Sequence, residues 1–205
     1  MRRRRGLLFV VSAPSGAGKT TLCREMAHTI PNLSYSVSHT TRPPRSGEMD
    51  GKDYFFVSKE EFLALIRRNE FAEWAEVHGN LYGTHEGFLH QMMDQGIDAL
   101  LDVDDQGAGL LKKRFSEGVF IYILPPSMEA LRDRLYERRS DTPEEIERRL
   151  VEARREMKNF HQYSYLIIND DFKKASRELE SIILAERVRL RPMDSDWIQR
   201  DYLKE

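Results

Sequence analysis

The feature that most constrains this chain is a short apolar run that leads directly into a glycine-rich loop. Leu7 to Val11 are all apolar, and residues 13–20 read Ala-Pro-Ser-Gly-Ala-Gly-Lys-Thr before a segment of helical character begins. A uniformly apolar run of this kind is typical of a strand that is covered on both faces of a parallel sheet. Because parallel strands are joined by helical crossovers, the pattern predicts an α/β fold.

The loop after this run has the composition of a phosphate-binding loop. Its small residues let backbone N–H groups close around phosphate oxygens at a positive helix end, Lys19 can reach the outer phosphates, and the Thr20 hydroxyl can ligate Mg²⁺. Ala13 stands where the usual motif has glycine, and alanine fits there if φ stays negative. A glycine-rich turn without a ligand is the weaker alternative, because a strand precedes the loop. The predicted nucleoside-triphosphate ligands are Ala13, Pro14, Ser15, Gly16, Ala17, Gly18, Lys19 and Thr20.

Later segments repeat the alternation of strand and helix, with one interruption. Further apolar runs occupy residues 99–103, 119–124 and 165–168. Thr142 and Ser58 each begin a capping box, and the helix after Thr142 is predicted to extend to about Phe160. Residues 33–82 break the pattern and predict an insertion with its own small mixed sheet. Its strands are expected at residues 35–38, 54–57 and 71–77.

Charge and cysteine content exclude several functional classes. Lys plus Arg number 32 and Asp plus Glu number 34, so the net charge of −2 indicates neither a nucleic-acid coat protein nor an acidic tail. The single cysteine, Cys23, excludes an intrachain disulfide and a multi-cysteine zinc site, and we expect a buried thiol in a cytoplasmic protein. Arg2 to Arg5 precede an apolar run too short for an export signal or a membrane span, so no membrane partner is expected.

A second cationic region lies within residues 36–54. Arg42 and Arg45 flank two prolines that stiffen an extended loop. Guanidinium groups bind phosphate through paired hydrogen bonds, and Tyr54 can add a hydroxyl. The region therefore favours a phosphomonoester site, although on these residues alone a solvated turn with surface arginines has equal weight.

Several motifs in the same order resemble those of the guanylate kinases. They are the phosphate-binding loop, Ser-Val-Ser-His-Thr-Thr-Arg-Pro-Pro-Arg at 36–45, Gly-Lys-Asp-Tyr-Phe-Phe-Val at 51–57, Tyr-Gly-Thr at 82–84 and Leu-Asp-Val-Asp-Asp-Gln-Gly at 101–107. The resemblance covers about residues 7–190. It implies a three-layer α/β fold of P-loop type with a central parallel sheet, a small mixed-sheet GMP-binding insertion and a helical lid.

The resemblance also implies one guanylate-kinase-like domain over residues 1–205. Its parts are a core of about 6–32, 97–126 and 160–190, a GMP-binding insertion of about 33–84, a lid of about 134–150 and a peripheral tail of 191–205. The sequence leaves the oligomeric state open, a homodimer included.

By the same resemblance, the chain is an enzyme that transfers the γ-phosphate of ATP to GMP and dGMP, giving ADP and GDP for purine nucleotide metabolism and GMP recycling. The implied ligands are Arg42, Arg45, Tyr54 and Tyr82 for the GMP phosphate, and Ser38, Glu73, Thr84 and Asp104 for the guanine side. Guanine presents its N1–H and N2–H₂ donors side by side, so one Glu73 carboxylate can accept both, whereas adenine presents an acceptor there. Without the resemblance, a solvent-facing strand residue is the stronger interpretation of Glu73.

The resemblance further implies the transfer machinery. Asp102 is expected to hold Mg²⁺ with Thr20, and Asp104 to lie nearer the acceptor, with helix capping as the alternative for both aspartates. Positive charge from lid arginines would stabilise the transferring phosphoryl group. The predicted catalytic residues are Lys19, Arg45, Arg138 and Arg149, and the further ATP contacts are Arg134 and Asn169. Asn169 is equally plausible as a turn former.

Three other functions compete with this prediction. They are a non-catalytic module of the same fold that binds a phosphorylated protein, a kinase for another nucleotide or a phosphorylated sugar, and RNA binding through Arg2 to Arg5. The intact loop with Lys19 opposes the first, and Glu73 with Thr84 opposes the second. No aromatic platform accompanies the basic arm, so no nucleic-acid partner is expected.

Overall fold

The structure, a computed structural model, describes residues 4–77, 79–137, 142–190 and 202–203. In chain order its elements are β1 (Leu8–Ser12), α1 (Lys19–Thr29), β2 (Leu33–Tyr35), β3 (His39–Thr40), β4 (Phe55–Phe56), α2 (Lys59–Arg67), β5 (Phe71–Val77), β6 (Asn80–His85), α3 (Glu86–Asp94), β7 (Asp98–Asp102), α4 (Asp105–Arg114), β8 (Val119–Leu124), α5 (Met128–Glu137), α6 (Pro143–Glu156), a 3₁₀ helix (Met157–Gln162), β9 (Tyr165–Ile168) and α7 (Phe172–Val188).

The central sheet has five parallel strands in the order β2-β7-β1-β8-β9. Strand β1 lies in the middle, where Val10 pairs with Leu101 on one side and with Phe120 on the other. The predicted α/β fold with a central parallel sheet is confirmed. The loop that follows β1 therefore begins at the carboxyl edge of the sheet, where open α/β sheets bind ligands.

Helices cover both faces of this sheet, which explains why β1 is apolar from Leu8 to Val11. Phe9 and Val11 pack on one face into a core formed with α1 and α7, and that core also contains the fully buried Cys23. Leu8 and Val10 pack on the other face with α3 and α4. Side chains of a strand alternate between the two faces of a sheet, so a strand that lies between two apolar cores needs apolar residues on both faces.

A second sheet, in the order β4-β3-β6-β5, forms the insertion. It is mixed, because β3 pairs in parallel with β4 and antiparallel with β6, and it has its own small core of Phe62, Phe71 and Leu81. The strand predicted at residues 35–38 was wrong. The observed strand, β2, pairs with β7 in the central sheet, and the sheet of the insertion begins at His39.

Local capping signals fix the starts of two helices as predicted. Ser58 and Thr142 both form complete capping boxes, and Pro143 occupies the first turn of α6. The α-helix after Thr142 ends at Glu156, short of the predicted Phe160, which lies in the 3₁₀ helix that follows. Helices α5 and α6 pack against each other through an apolar cluster of Leu131, Leu135, Ile146, Leu150 and Ala153.

The described part of the basic arm is bound to the central sheet. Arg4 donates two hydrogen bonds to the fully buried Asp98, at 2.8 and 2.7 Å, and Arg187 of α7 donates to the same carboxylate at 2.7 Å. Arg5 forms an ion pair with Asp94. Arg4 and Arg5, the two arginines of the arm that the structure describes, thus both contact acidic side chains of the chain itself. Among the helices that the structure describes, none is long and apolar enough to cross a membrane.

Candidate functional site

The loop between β1 and α1 needs glycine at two positions. Gly16 and Gly18 have φ values of 99° and 88°, in the left-handed region that other residues rarely adopt. A Cβ on Gly18 would also lie 2.5 Å from Nδ2 of Asn169. Ala13 keeps a negative φ, which is the condition under which alanine can replace the usual glycine.

Two side chains of the first turn of α1 point to the loop after β7. Nζ of Lys19 donates to the carbonyl oxygen of Val103 at 2.6 Å, and Oγ1 of Thr20 donates to Oδ2 of Asp102 at 2.5 Å. The other Asp102 oxygen accepts a hydrogen bond of 2.7 Å from the hydroxyl of Tyr35. The sequence analysis missed Tyr35, because only the pairing of β2 with β7 brings it to Asp102.

Thr20 and Asp102 have the donor chemistry for Mg²⁺. This ion prefers oxygen ligands, keeps several waters and is commonly held by one or two carboxylates together with substrate phosphates. Within the described ranges, no group of three or more His, Cys, Asp or Glu forms a metal cluster. A hydroxyl and a carboxylate beside a phosphate-binding loop fit an ion whose remaining ligands come from phosphate and water.

Helices α5 and α6, which include most of the predicted lid, reach the same loop. Arg149 of α6 donates to Oγ of Ser15 at 2.6 Å. Arg134 of α5 donates to the backbone oxygen of Asn169 at 2.8 Å, and Asn169 in turn donates to the backbone oxygen of Ala17 at 2.7 Å. Three predicted donor-side residues therefore converge on the loop. The fourth, Arg138, lies outside the described residues.

A cleft of about 340 Å³ joins the loop to the insertion and to α6. Predicted residues from both sides line it, among them Lys19, Tyr54, Asp104 and Arg149. The lining residues that the sequence analysis missed are Glu76, Val77, Gln106, Glu152, Ala153 and Glu156. Burial raises the pKa of Glu156 to about 7, and the nearby charge of Glu152 adds to the shift. Both glutamates lie on a helix rich in exposed charge, so no sequence signal distinguished them.

At the insertion end, Glu73 of β5 and Thr84 of β6 are cross-strand neighbours next to an irregularity in the pairing. The Thr84 hydroxyl donates to Oε1 of Glu73 at 2.6 Å, and the Ser38 hydroxyl lies 3.4 Å from the Thr84 hydroxyl. Glu73 is only 6% exposed, so a solvent-facing strand position is excluded. These three side chains form one polar cluster.

Burial makes the Glu73 carboxyl of this cluster a weaker acid. Removal from solvent raises the pKa of Glu73 to about 7, the hydrogen bond from Thr84 opposes the shift, and the charge of Asp104 increases it. Asp104 is also the N-cap of α4, because its Oδ1 accepts from the backbone N–H of Gly107 at 2.8 Å. Asp104 therefore caps α4, as the alternative interpretation predicted, and it also lies near the Glu73 carboxyl.

The two arginines of the cationic region differ in environment. The Arg42 guanidinium lies 5.4 Å from the ring centre of Tyr54, whose ring is 5.9 Å from that of Tyr82. Arg42 forms an ion pair with Glu48 at 2.8 Å, whereas the Arg45 side chain is exposed. The structure thus brings Arg42, Tyr54 and Tyr82 together, with Arg45 on the adjoining loop.

A comparison with protein-family models shows the family to which this chain belongs. The model described as guanylate kinase matches residues 5–186. This chain belongs to the guanylate kinase family. A guanylate kinase from Geobacter sulfurreducens is 54% identical over 187 residues, which are 91% of this chain and 92% of that protein. A guanylate kinase from Geobacter metallireducens is 52% identical over 187 residues, with the same coverage of 91% and 92%.

Solved structures of guanylate kinases include one that is similar over the whole chain. The crystal structure of guanylate kinase from Anaplasma phagocytophilum superposes with a TM-score of 0.82 at 34% identity, covering 100% of both chains. The resemblance inferred from the motifs and the three-layer fold are confirmed. Within this guanylate kinase fold, the ligand and catalytic roles of individual residues stay predictions.

Proposed function

We propose that this guanylate kinase family member transfers the γ-phosphate of ATP to GMP or dGMP by direct in-line attack, giving ADP and GDP or dGDP. The observation that carries the proposal is the buried, hydrogen-bonded pair of Glu73 and Thr84 in the insertion. Glu73 lies close to Asp104, which lines the same cleft as a complete phosphate-binding loop. The loop alone is shared by motors, switches and kinases, so the acceptor pocket is what specifies the reaction.

The pocket has the hydrogen-bonding pattern of guanine. An ionised Glu73 can accept from N1–H and N2–H₂, and the Ser38 hydroxyl can donate to O6. The single proton of the Thr84 hydroxyl, which Glu73 accepts in this structure, can turn to O6 once the guanine N–H groups occupy the carboxylate. Adenine would place its N1 acceptor against the carboxylate and leave a buried charge unpaired. All the predicted acceptor contacts are to base and phosphate, which is why dGMP is included.

Catalysis on this account is positioning and charge stabilisation. Arg42 and Arg45 hold the GMP phosphate, while Lys19 and Arg149 lie against the donor phosphates. A GMP phosphate oxygen forms a bond to the γ-phosphorus as the bond to the β–γ bridging oxygen breaks, and that oxygen leaves on ADP. No general base is required, since a phosphate monoester with a second pKa of about 6 is largely a dianion at neutral pH.

Thr20 and Asp102 would hold the Mg²⁺ that accompanies ATP. When bound, this ion neutralises negative charge on the β- and γ-phosphates. Tyr35 fixes the Asp102 carboxylate from the other side, so the residues that the ion needs are oriented before the nucleotide arrives. Helices α5 and α6 exclude water from the donor phosphates when they close, and Arg138 keeps its predicted role there. We expect the reaction in the cytoplasm, where the lone Cys23 stays reduced.

One assay tests the proposal. ADP release would be measured with ATP and Mg²⁺ in the presence of GMP, dGMP, AMP or UMP, or without an acceptor, with the Lys19→Met variant as a control for contaminating kinases. We expect release with GMP and dGMP, and little with the other additions. Release that does not depend on GMP would contradict the proposal.

A further inference from the structure

Glu48 contacts both arginines of the phosphate corner, the region formed by Arg42, Arg45, Tyr54 and Tyr82, although the predicted ligand set does not include it. Its Oε1 accepts a hydrogen bond of 2.8 Å from Nη2 of Arg42, and its Oε2 accepts from the same nitrogen at 3.0 Å. Oε2 also accepts from the backbone N–H of Arg45 at 2.7 Å. One carboxylate thus binds the side chain of one predicted phosphate ligand and the backbone of the other.

These contacts fix Arg42 but leave the Arg45 side chain untouched. The Arg42 side chain is 12% exposed, lies beside the rings of Tyr54 and Phe56, and donates from Nη1 to the Pro43 oxygen at 2.8 Å. The Arg45 side chain is exposed and makes no hydrogen bond within the described part of the chain. The corner therefore contains one immobilised guanidinium and one that is free to move onto a ligand.

Immobilising Arg42 in advance has a physical consequence for anion binding. A long side chain loses conformational entropy when it is held in one geometry, and this loss weakens binding if it occurs on ligand arrival. The contacts with Glu48 and Pro43 use only part of the five-donor fork, so N–H groups of Arg42 stay available for phosphate oxygens. The Arg42 guanidinium also lowers the pKa of Glu48, so the carboxylate stays ionised at neutral pH.

We propose that Glu48 is a positioning residue for the acceptor phosphate, which acts by holding the Arg42 guanidinium and the backbone of Arg45 in the geometry that receives a phosphomonoester. The inference rests on the proposed function. A competing role is the alternative. In that role the Glu48 carboxylate would occupy Arg42 and exclude the phosphate from the same guanidinium. The two roles predict opposite changes in the affinity for GMP.

The test uses the full chain with Glu48→Ala and Glu48→Gln. We expect Glu48→Ala to raise KM for GMP about 10-fold, with kcat and KM for ATP changed less than about 2-fold, because only the phosphate contact is loosened. Glu48→Gln keeps an oxygen for the Arg45 N–H and should restore part of the loss. The matched control is Glu60→Ala, an exposed carboxylate of the same insertion. Competitive inhibition by guanosine, which has no phosphate, should be equal in all these proteins.

A double-mutant cycle with Arg42→Gln decides whether Glu48 acts through Arg42. If it does, Glu48→Ala should raise KM for GMP clearly less in the Arg42→Gln background than in the wild-type protein, and the part of the effect that remains measures the contact with the Arg45 backbone. A lower KM for GMP in Glu48→Ala would establish the competing role and overturn the proposal. So would an undiminished effect in the Arg42→Gln background, or equal losses for GMP, ATP and guanosine. Absence of GMP-dependent turnover in the wild-type protein would instead defeat the proposed function, so the two failures are distinguishable.

Discussion

The two ends of the cleft are built in different ways. The proposed donor end is one contiguous segment, residues 13–20, in which Gly16 and Gly18 have positive φ and the backbone N–H groups are expected to bind phosphate. The proposed acceptor end is assembled from side chains of separate elements, with Glu73 on β5, Thr84 on β6 and Asp104 at the start of α4. Backbone groups recognise the phosphate chain that all nucleoside triphosphates share, whereas a particular base requires particular side chains.

The two ends also differ in how their ligand-binding groups affect the stability of the folded protein. The donor loop lies at a helix N-terminus, where polar N–H groups have no intrahelical partner in any case. The acceptor end buries the Glu73 carboxylate, whose raised pKa of about 7 shows that the ionised form is unfavourable in the folded protein. Substitutions at the two ends should therefore have separable effects on turnover, base selectivity and stability.

The largest expected effect is at the donor end. Lys19→Met should lower kcat about 1,000-fold, because the transferring phosphoryl group loses a fixed positive charge. Lys59→Met, which removes an exposed lysine from the first turn of α2, is the matched control. Steady-state ADP release measures the effect, and a loss below tenfold would contradict the donor role of Lys19.

At the acceptor end, Glu73→Gln should reduce the preference for GMP over AMP about 10- to 100-fold. The amide loses the charge and can no longer accept both guanine donors, while adenine no longer faces an ion. The ratio of kcat/KM for the two acceptors measures the change, with Glu60→Gln as the control. An unchanged ratio would refute the assignment of base recognition to Glu73.

The same substitution should stabilise the protein at pH 8 by about 2 kcal/mol. An acid whose folded pKa is raised binds its proton more tightly when folded, so stability falls as pH rises from about 4.5 towards 7. Glutamine has no charge to bury. Urea unfolding at pH 8 and pH 4.5 measures this difference, which should shrink at the lower pH; a less stable variant at pH 8 would argue against a costly buried carboxylate.

The smallest expected effect is on the pH dependence of base binding. Guanosine should inhibit about tenfold more weakly at pH 6 than at pH 8, because protonation of Glu73 removes an acceptor. Guanosine is used because it has no phosphate group, whose protonation near pH 6 would also change the affinity of GMP. The Glu73→Gln variant should show no such dependence, and a flat profile in the wild-type protein would contradict the raised pKa.

The same contrast explains how much the sequence could predict. The phosphate-binding loop is contiguous, and its residue types follow from local geometry, so its role could be predicted without any relative. Glu73 and Thr84 meet only because β5 and β6 pair in one register with an irregularity beside Glu73, which single-sequence patterns do not specify. Their roles came from the resemblance to guanylate kinases.

Other features depended on long-range pairing that no local pattern contains. The segment after Leu33 has the composition of a strand, but the partner of a three-residue strand is set by the packed sheet, so β2 was placed in the wrong sheet. Tyr35 was missed for the same reason, because it reaches Asp102 only through that pairing. Glu48 was overlooked because a carboxylate in a polar loop resembles ordinary surface charge.

One measurement tests most directly the central claim, that recognition of the donor and recognition of the acceptor are separable. Equilibrium titration of GMP and of a non-hydrolysable ATP analogue with Mg²⁺ would be performed on the wild-type, Lys19→Met and Glu73→Gln proteins. We predict that Glu73→Gln weakens GMP binding about tenfold or more and leaves the ATP analogue unchanged, while Lys19→Met affects only the analogue. Equal weakening of both ligands by Glu73→Gln would contradict the account.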